Sequence, residues 1–431
     1  MTVPETLSLP HVPTGWVVGR IGNVAMAWTS NVDKHSVDGE PTVRLCNYTD
    51  VYKNELITEG LNFMEATARA DQIERFQLRR GDTVITKDSE TADDIGVPAF
   101  VVYEADDLVC GYHLAIVRPD PSRITPKFLY WVMTSQTMSR QWAVLATGVT
   151  RVGIRSNDLS KASIPIPPFE VQRAISDYLD RETTKIDTLI EEQNRLIELT
   201  WERRNALVES AVANVEARGT RLKHYVTSVV QGWSPQCNNW SADGVKTWAV
   251  LKAGAANGGQ FHPDENKELP EQETPRPETV VRPGHLVVSR ANTRELLGSA
   301  AVVEETYPRL MLSDKLYALT LNESRALPQY VALLLGVRRW RDLIELEATG
   351  SSPSMQNISQ SDILNLPMEL PPIEVQVEVV RNLQLQTTKI DTLIAETERF
   401  IELAKERRSA LITAAVTGQI DVRDQVDQGA A

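Results

Sequence analysis

PPFEVQRAISDYLDRETTKIDTLIEEQNRLIELTWERRNALVESAV, residues 167–212, is written again 204 positions later as PPIEVQVEVVRNLQLQTTKIDTLIAETERFIELAKERRSALITAAV, residues 371–416. Without a gap, 26 of these 46 positions are identical, where average residue usage gives roughly 3 by chance. A repeat of this length is one structural unit used twice. In the first copy an apolar seam runs through Ile175, Leu179, Ile186, Leu189, Leu196 and Leu207. In the second it runs through Val379, Leu383, Ile390, Leu393, Phe400 and Leu411, with Ala404 and Ala414. Steps of 3 and 4 are the heptad spacing of a long coiled-coil helix. Glu182, Gln193, Thr200 and Arg203 take the remaining seam positions, and Ile190, Ile197, Ile394 and Ile401 widen the face. Pro-Pro opens each copy, and Gly219 and Gly418 lie just beyond, which is helix start and stop chemistry. Each helix is predicted to have about 45 residues and to reach about 68 Å.

Two matching seams in one chain predict that the helices pair with each other. The first helix leaves one domain and ends at the next; the second leaves that next domain. If they pack together the second must run back, so the pair is antiparallel and the intervening domains are related by a pseudo-twofold axis. Separate bundles or an intermolecular coil are the alternative.

The intervening segments, residues 1–166 and 217–371, repeat more faintly. GDTVITK (81–87) answers GHLVVSR (284–290): a glycine turn, an apolar strand and a basic end. YHLAIVRP (112–119) answers DKLYALTL (314–321). Residues 126–148 answer 328–350, each reading as a helix that ends in Ala-Thr-Gly. The predicted fold class is therefore α/β (α+β): two mixed domains of short strands with one or two helices, joined by two long helices. The predicted boundaries are 1–166 and 219–370 for the domains, 167–218 and 371–418 for the helices, and 419–431 for a flexible tail. Divergent faces on a common scaffold suggest two related modules that bind different targets.

A chain of 431 residues, 42% hydrophobic and 24% charged, has the composition of a soluble globular protein of two to four domains. MTVPETLSLPHVPTGW has neither basic region nor apolar core, so no secretory signal is expected, and no apolar run is long enough to span a membrane. Cys46, Cys110 and Cys237 lie far apart in sequence, which fits a reducing cytoplasm and neither a disulfide framework nor a zinc site. The net charge of −13 speaks at first against nucleic acid. It is uneven, however. Residues 170–216 carry 6 basic and 11 acidic residues, whereas 217–371 carry 16 and 17, so local positive faces remain possible.

Catalytic signatures are missing. The sequence has no phosphate-binding G-x-x-x-x-G-K-[ST] loop, no Asn-Pro-Pro-Tyr stretch of an amino-methyltransferase, and no glycine-rich cofactor loop after a strand. Pro263-Asp264-Glu265-Asn266-Lys267 imitates a nuclease signature without its intervening strand and reads as a polar loop. The six histidines, His11, His35, His113, His224, His262 and His285, show no metal-ligand spacing. The chain alone is expected to catalyse nothing and to hold no metal.

Helices that open with PPFEVQ and PPIEVQ and carry TTKIDTLI resemble those of the specificity subunits of type I restriction–modification enzymes, and the resemblance covers essentially the whole chain. It implies a non-catalytic subunit that reads a split double-stranded DNA site. Each variable domain would be a target recognition domain for one half-site, and the helix pair a ruler for the gap between halves. Two methyltransferase subunits and two motor-nuclease subunits would be its partners. S-adenosylmethionine, ATP and Mg would belong to those partners, in the cytoplasm, with no membrane role.

Phosphate contacts need Lys or Arg, and base readout needs Arg, Lys, Asn or Gln at a groove edge. In the first domain the candidates are Lys87 at its strand end and Arg151 and Arg155 after Thr147-Gly148. In the second they are Arg290, Asn292 and Arg294 of RANTR, then Lys315 and the loop Thr349-Gly350-Ser351-Ser352. Lys87 is followed by DSETADD, an acidic run that would repel phosphate, so either the loop points away from the DNA backbone or an acid accepts from cytosine N4. Arg75, Arg79 and Arg80 form a further basic cluster on a helix face or strand edge. The repeated Glu-Arg-Arg, 202–204 and 406–408, is expected to make ion pairs along the rod. The rival reading is a two-module protein scaffold on a coiled rod with no nucleic acid, which the acidic total favours.

Overall fold

The computed structural model describes residues 12–213, 215, 219–352 and 355–422. The tail expected at 419–431 lies mostly outside them, as do residues 1–11, including His11. The chain divides into two compact units. One takes residues up to Asn194 together with those from Glu398; the other is Arg195–Thr397.

The first unit is built on a five-stranded sheet ordered Ala25–Thr29, Leu114–Pro119, Thr83–Thr86, Pro98–Val101, Leu56–Ile57. Neighbours are antiparallel except the last pair. The second unit repeats the first four positions as Val226–Gln231, Leu316–Leu321, Leu286–Ser289, Ala300–Val302, all antiparallel. Each unit adds a three-stranded sheet with one antiparallel and one parallel pairing: Met64–Thr67, Thr42–Cys46, Leu108–Cys110 in one, and Asn266–Glu268, Ala249–Leu251, Leu310–Met311 in the other. The faint sequence repeat is thus a topological one.

The sheets grow from apolar strands whose turns fix their starts. Gly81 (φ +94°) and Gly284 (φ +85°) take left-handed backbone before Thr83–Thr86 and Leu286–Ser289, a conformation only glycine adopts freely. The next residue secures each turn. Asp82 accepts the Arg79 N–H at 2.8 Å, and the His285 Nδ1 accepts the Arg282 N–H at 3.2 Å. Asp82 also takes a bidentate grip on Arg118 at 2.7 and 2.8 Å, deep in the first unit.

Two expectations, on the module helices and on residues 263–267, are corrected. Each segment expected as one helix is two: Pro126–Thr134 and Gln136–Leu145, and Pro328–Gly336 and Arg338–Leu346. Ser135 and Val337 are extended at the breaks, and the Ser135 hydroxyl caps the helix after it. Cys46 and Cys110, distant in sequence, are facing partners on parallel strands, both buried and free. Asn266–Glu268, read within a polar loop, is a strand. The stretch Ala253–Gly259 does follow a strand, as a kinked 3-10 turn.

The long helices are Phe169–Ala211 (43 residues) and Ile373–Val416 (44 residues). In the first unit Ile175 and Leu179 share a core with Ile412, Ala415 and Val416. In the second, Val208 and Val212 share one with Val380 and Leu383. Within each unit the start of one helix lies with the end of the other, so the two segments run antiparallel.

The seam departs from the expected register. Leu196, Leu393 and Phe400 are 38%, 43% and 43% exposed. Ile186, Leu189, Leu207, Val379, Ile390 and Leu411 are half-buried. The buried stripe of the second helix runs Leu383, Thr387, Ile394, Thr397, Ile401, Ala404; Leu383 and Ala404 are at expected positions, whereas Ile394 and Ile401 are buried in place of Leu393 and Phe400. Adjacent apolar pairs such as Leu393/Ile394 fit either register; the charged groups decide. Arg204 pairs with Asp391 at 2.9 Å, and its repeat equivalent Arg408 pairs with Asp187 at 2.8 Å and with Glu55 at 2.8 Å. Arg203, placed in the seam from sequence, is exposed. Thr183, Thr200 and Thr397 bury their hydroxyls by donating to the carbonyls of Leu179, Leu196 and Leu393 at 2.6–2.7 Å.

Candidate nucleic-acid interface

The glutamine of each Pro-Pro-x-Glu-Val-Gln joins helix to module. Gln172 and Gln376 are buried. The Gln172 Oε1 accepts the Thr125 N–H at 2.7 Å, and its Nε2 donates to the Pro167 carbonyl at 2.9 Å. Gln376 does the same with the Leu327 N–H at 2.9 Å and the Pro371 carbonyl at 2.7 Å. Thr125 and Leu327 are the residues that precede Pro126–Thr134 and Pro328–Gly336. Each amide therefore ties the first turn of a long helix to the start of a module helix.

The central strands carry the candidate cations at their ends. Lys87 follows Thr83–Thr86, and Arg290 follows Leu286–Ser289. Their backbones are held alike. The Lys87 N–H donates to the His113 carbonyl (3.0 Å) and its carbonyl accepts from the Ile154 N–H (2.8 Å); the Arg290 N–H donates to the Lys315 carbonyl (2.9 Å) and its carbonyl accepts from the Ile358 N–H (3.0 Å). The two positions are structural equivalents with different surroundings.

In the first unit Lys87, Arg151 and Arg155 line one cleft of about 410 Å³ with Asp88, Thr147 and Gly153. The Lys87 ammonium lies 4.1 Å from the Tyr112 ring centroid, a cation–π contact. Burial lowers its pKa, and Asp88 opposes that shift. Asp88 pairs with Arg151 at 2.5 Å and with the His113 Nδ1 at 2.9 Å. The acid that seemed set to repel phosphate is thus engaged by two neighbours. Asp94, from the same run, accepts from the Tyr52 hydroxyl at 3.0 Å.

In the second unit Ala291–Asn292 pairs with Met355–Asn357, which pairs in turn with Thr349–Ser352. That places Arg290, Asn292, Lys315, Thr349 and Gly350 around one strand end. The Arg290 guanidinium lies 5.6 Å from the Tyr317 ring centroid, donates to the Asp314 carbonyl at 3.3 Å, and keeps a buried Nε with no partner. The Asn292 amide sits 3.4 Å from Asn257 and from Ser289. Arg294 is not with this group: it pairs with Glu345 of Arg338–Leu346 at 3.0 Å. Arg75 lies in the helix Ala70–Phe76, and Arg79 and Arg80 in the turn after it, so no single face holds the three.

Tyr112, His113 and Tyr317 carry no site role in the sequence reading, and Asp88 enters it only as part of an acidic run. Each flanks a candidate residue, but a neighbour across strands leaves no local pattern. Among the described residues no group of His, Cys, Asp and Glu could hold a metal ion, and no helix is long and apolar enough to cross a membrane.

A family model described as type I restriction modification DNA specificity domain matches residues 13–199. Over 164 residues the chain is 31% identical to the type I restriction enzyme EcoEI specificity subunit of Escherichia coli, covering 38% of this chain and 28% of that protein. Residues 13–199 thus carry the likeness to a type I DNA specificity domain, and the chain is similar to specificity subunits beyond that segment. Another specificity subunit, that of the EcoKI enzyme of Escherichia coli K12, is 22% identical over 325 residues, 72% of this chain and 68% of that one. A chain from a solved structure concerned with assembly and conformational transition of the type I R-M system shares the fold, with TM-score 0.62 at 19% identity, over 95% of this chain and 100% of that one.

Proposed function

We propose that this chain is the subunit that selects the DNA site of a type I restriction–modification complex in the cytoplasm, each unit reading one half of a bipartite double-stranded site. The observation that carries the proposal is the pair of equivalent strand ends, Lys87 and Arg290, held by the same backbone bonds yet surrounded by different side chains. A common scaffold with unlike readers fits an asymmetric site. Lys87, Arg151 and Arg155 serve one half, and Arg290, Asn292, Lys315, Thr349 and Gly350 the other. Arg294 contributes only if Glu345 releases it.

The paired long helices set the gap between half-sites, since half-site spacing follows protein geometry. Two methyltransferase subunits and two motor-nuclease subunits complete the complex. They supply the S-adenosylmethionine, ATP and Mg chemistry, and this chain binds none of these. Methylation mapping of host DNA with and without this chain tests the reading. A new bipartite methylated motif is expected; an unchanged methylome overturns it.

A further inference from the structure

The acid beside Lys87 has a role that the charge balance alone hides. The Asp88 side chain is only 14% exposed, and a buried carboxylate needs partners. It has two, His113 and Arg151, and the Arg151 bond is 2.5 Å. Arg151 keeps 53% of its side chain exposed, at the mouth of the same cleft. Its loop is fixed at both ends. Thr147 and Gly153 exchange backbone hydrogen bonds at 3.0 and 2.9 Å, and Asp88 pairs with Gly153 across the strands. Gly148 (φ +146°) closes the loop so tightly that a Cβ there would strike the Arg151 carbonyl.

Resting on the DNA-reading proposal, we propose that Asp88 is a positioning residue that holds Arg151 to read one guanine in the major groove of its half-site. A guanidinium is planar and offers donors on more than one edge. Asp88 meets one terminal nitrogen of Arg151, and just over half of the Arg151 side chain stays exposed. Guanine alone presents two acceptors, N7 and O6, side by side on its groove edge. A phosphate is the poorer partner, because the charge of Arg151 is already paired with Asp88 and Glu90 and Asp93 lie close in sequence. The equivalent of Asp88 in the second unit is Ala291, so the device belongs to one half-site only.

The test uses the assembled methyltransferase complex, its mapped cognate duplex, a random duplex, and cognate duplexes with 7-deazaguanine replacing one guanine at a time. With wild-type protein, one position in this half-site is expected to lose about tenfold in affinity, the size of a lost bidentate base contact. Asp88→Ala and the isosteric Asp88→Asn, which guards against a folding defect, are expected to abolish discrimination at that position alone. Their affinity for random duplex should stay or rise, since an acid near DNA is gone. Arg151→Ala should match them in lost discrimination while lowering affinity for random duplex, and the double variant should lose no more discrimination. Discrimination that survives in both Asp88 variants, or falls equally at every position, overturns the positioning role. Wild-type indifference to 7-deazaguanine throughout overturns guanine reading. A complex that binds no duplex in a salt-dependent way refutes the DNA proposal itself, a separate outcome.

Discussion

Asp82 and His285 occupy the same turn in the two units and solve it with opposite charge chemistry. Asp82 is buried and bound to the Arg118 guanidinium, which also donates to the Gln77 carbonyl at 2.9 Å. Removing the carboxylate strands a buried cation. Asp82→Ala is therefore expected to destabilise the first unit by about 3–5 kcal/mol, read from the shift in its denaturant midpoint. His285 has no such ion. Burial, then the Arg282 charge, lowers its pKa, and its Nδ1 accepts an N–H that a second ring proton would displace. A lowered folded-state pKa means the unfolded chain binds the proton first as pH falls. The stability His285 contributes is present above its unfolded pKa, about 6.5, and is lost below it. His285→Gln should flatten the dependence of unfolding midpoint on pH between about 7.5 and 5.5; an equally steep loss in the variant would place the effect elsewhere.

At the scale of elements, Gln172 and Gln376 matter more than their polarity suggests. Gln172→Ala leaves the buried Thr125 N–H and Pro167 carbonyl unpaired, so a loss of about 1–3 kcal/mol is expected. Hydrogen exchange should quicken at both the start of Phe169–Ala211 and the start of Pro126–Thr134, because one amide serves both; a change confined to one helix would refute the shared tie. The two long helices were legible because 46 repeated positions carry a period that local chemistry enforces. Their register was not. Adjacent apolar residues fit two seams, and the choice rests on Arg204–Asp391 and Arg408–Asp187, pairs 187 and 221 residues apart. The helix break at Ser135 was missed because neither Gly nor Pro marks it, and Gly336 before Val337 was not read as a stop. Lys87 and Arg290 were found because strand ends show as basic residues after apolar runs. Asp88 was read only as a liability, since its partners His113 and Arg151 come from other strands and loops.

For the whole molecule, the net charge of −13 and the proposed ligand pull in opposite directions. Five of the thirteen excess negative charges sit in residues 170–216, which hold most of the first long helix, while the module at 217–371 is close to balance. A protein–DNA contact draws on local cations, and its salt dependence counts the phosphates neutralised, about 0.9 in slope for each on duplex DNA. The candidates therefore separate by experiment. Arg155 is exposed and heads the short helix Ser156–Leu159, without a side-chain cap bond. Arg155→Ala should lower affinity for cognate and random duplex alike and reduce the salt slope of the assembled complex by about 1. Arg290 is half-buried, with its guanidinium 5.6 Å from the Tyr317 ring centroid, and is the proposed base reader. Arg290→Ala should cost about 1–3 kcal/mol on the cognate duplex and little on random DNA, leaving the slope nearly unchanged. Binding titrations at two salt concentrations measure both. If neither variant moves either quantity, the clusters do not touch DNA, and the two-module protein scaffold becomes the better account of an acidic chain with paired readers.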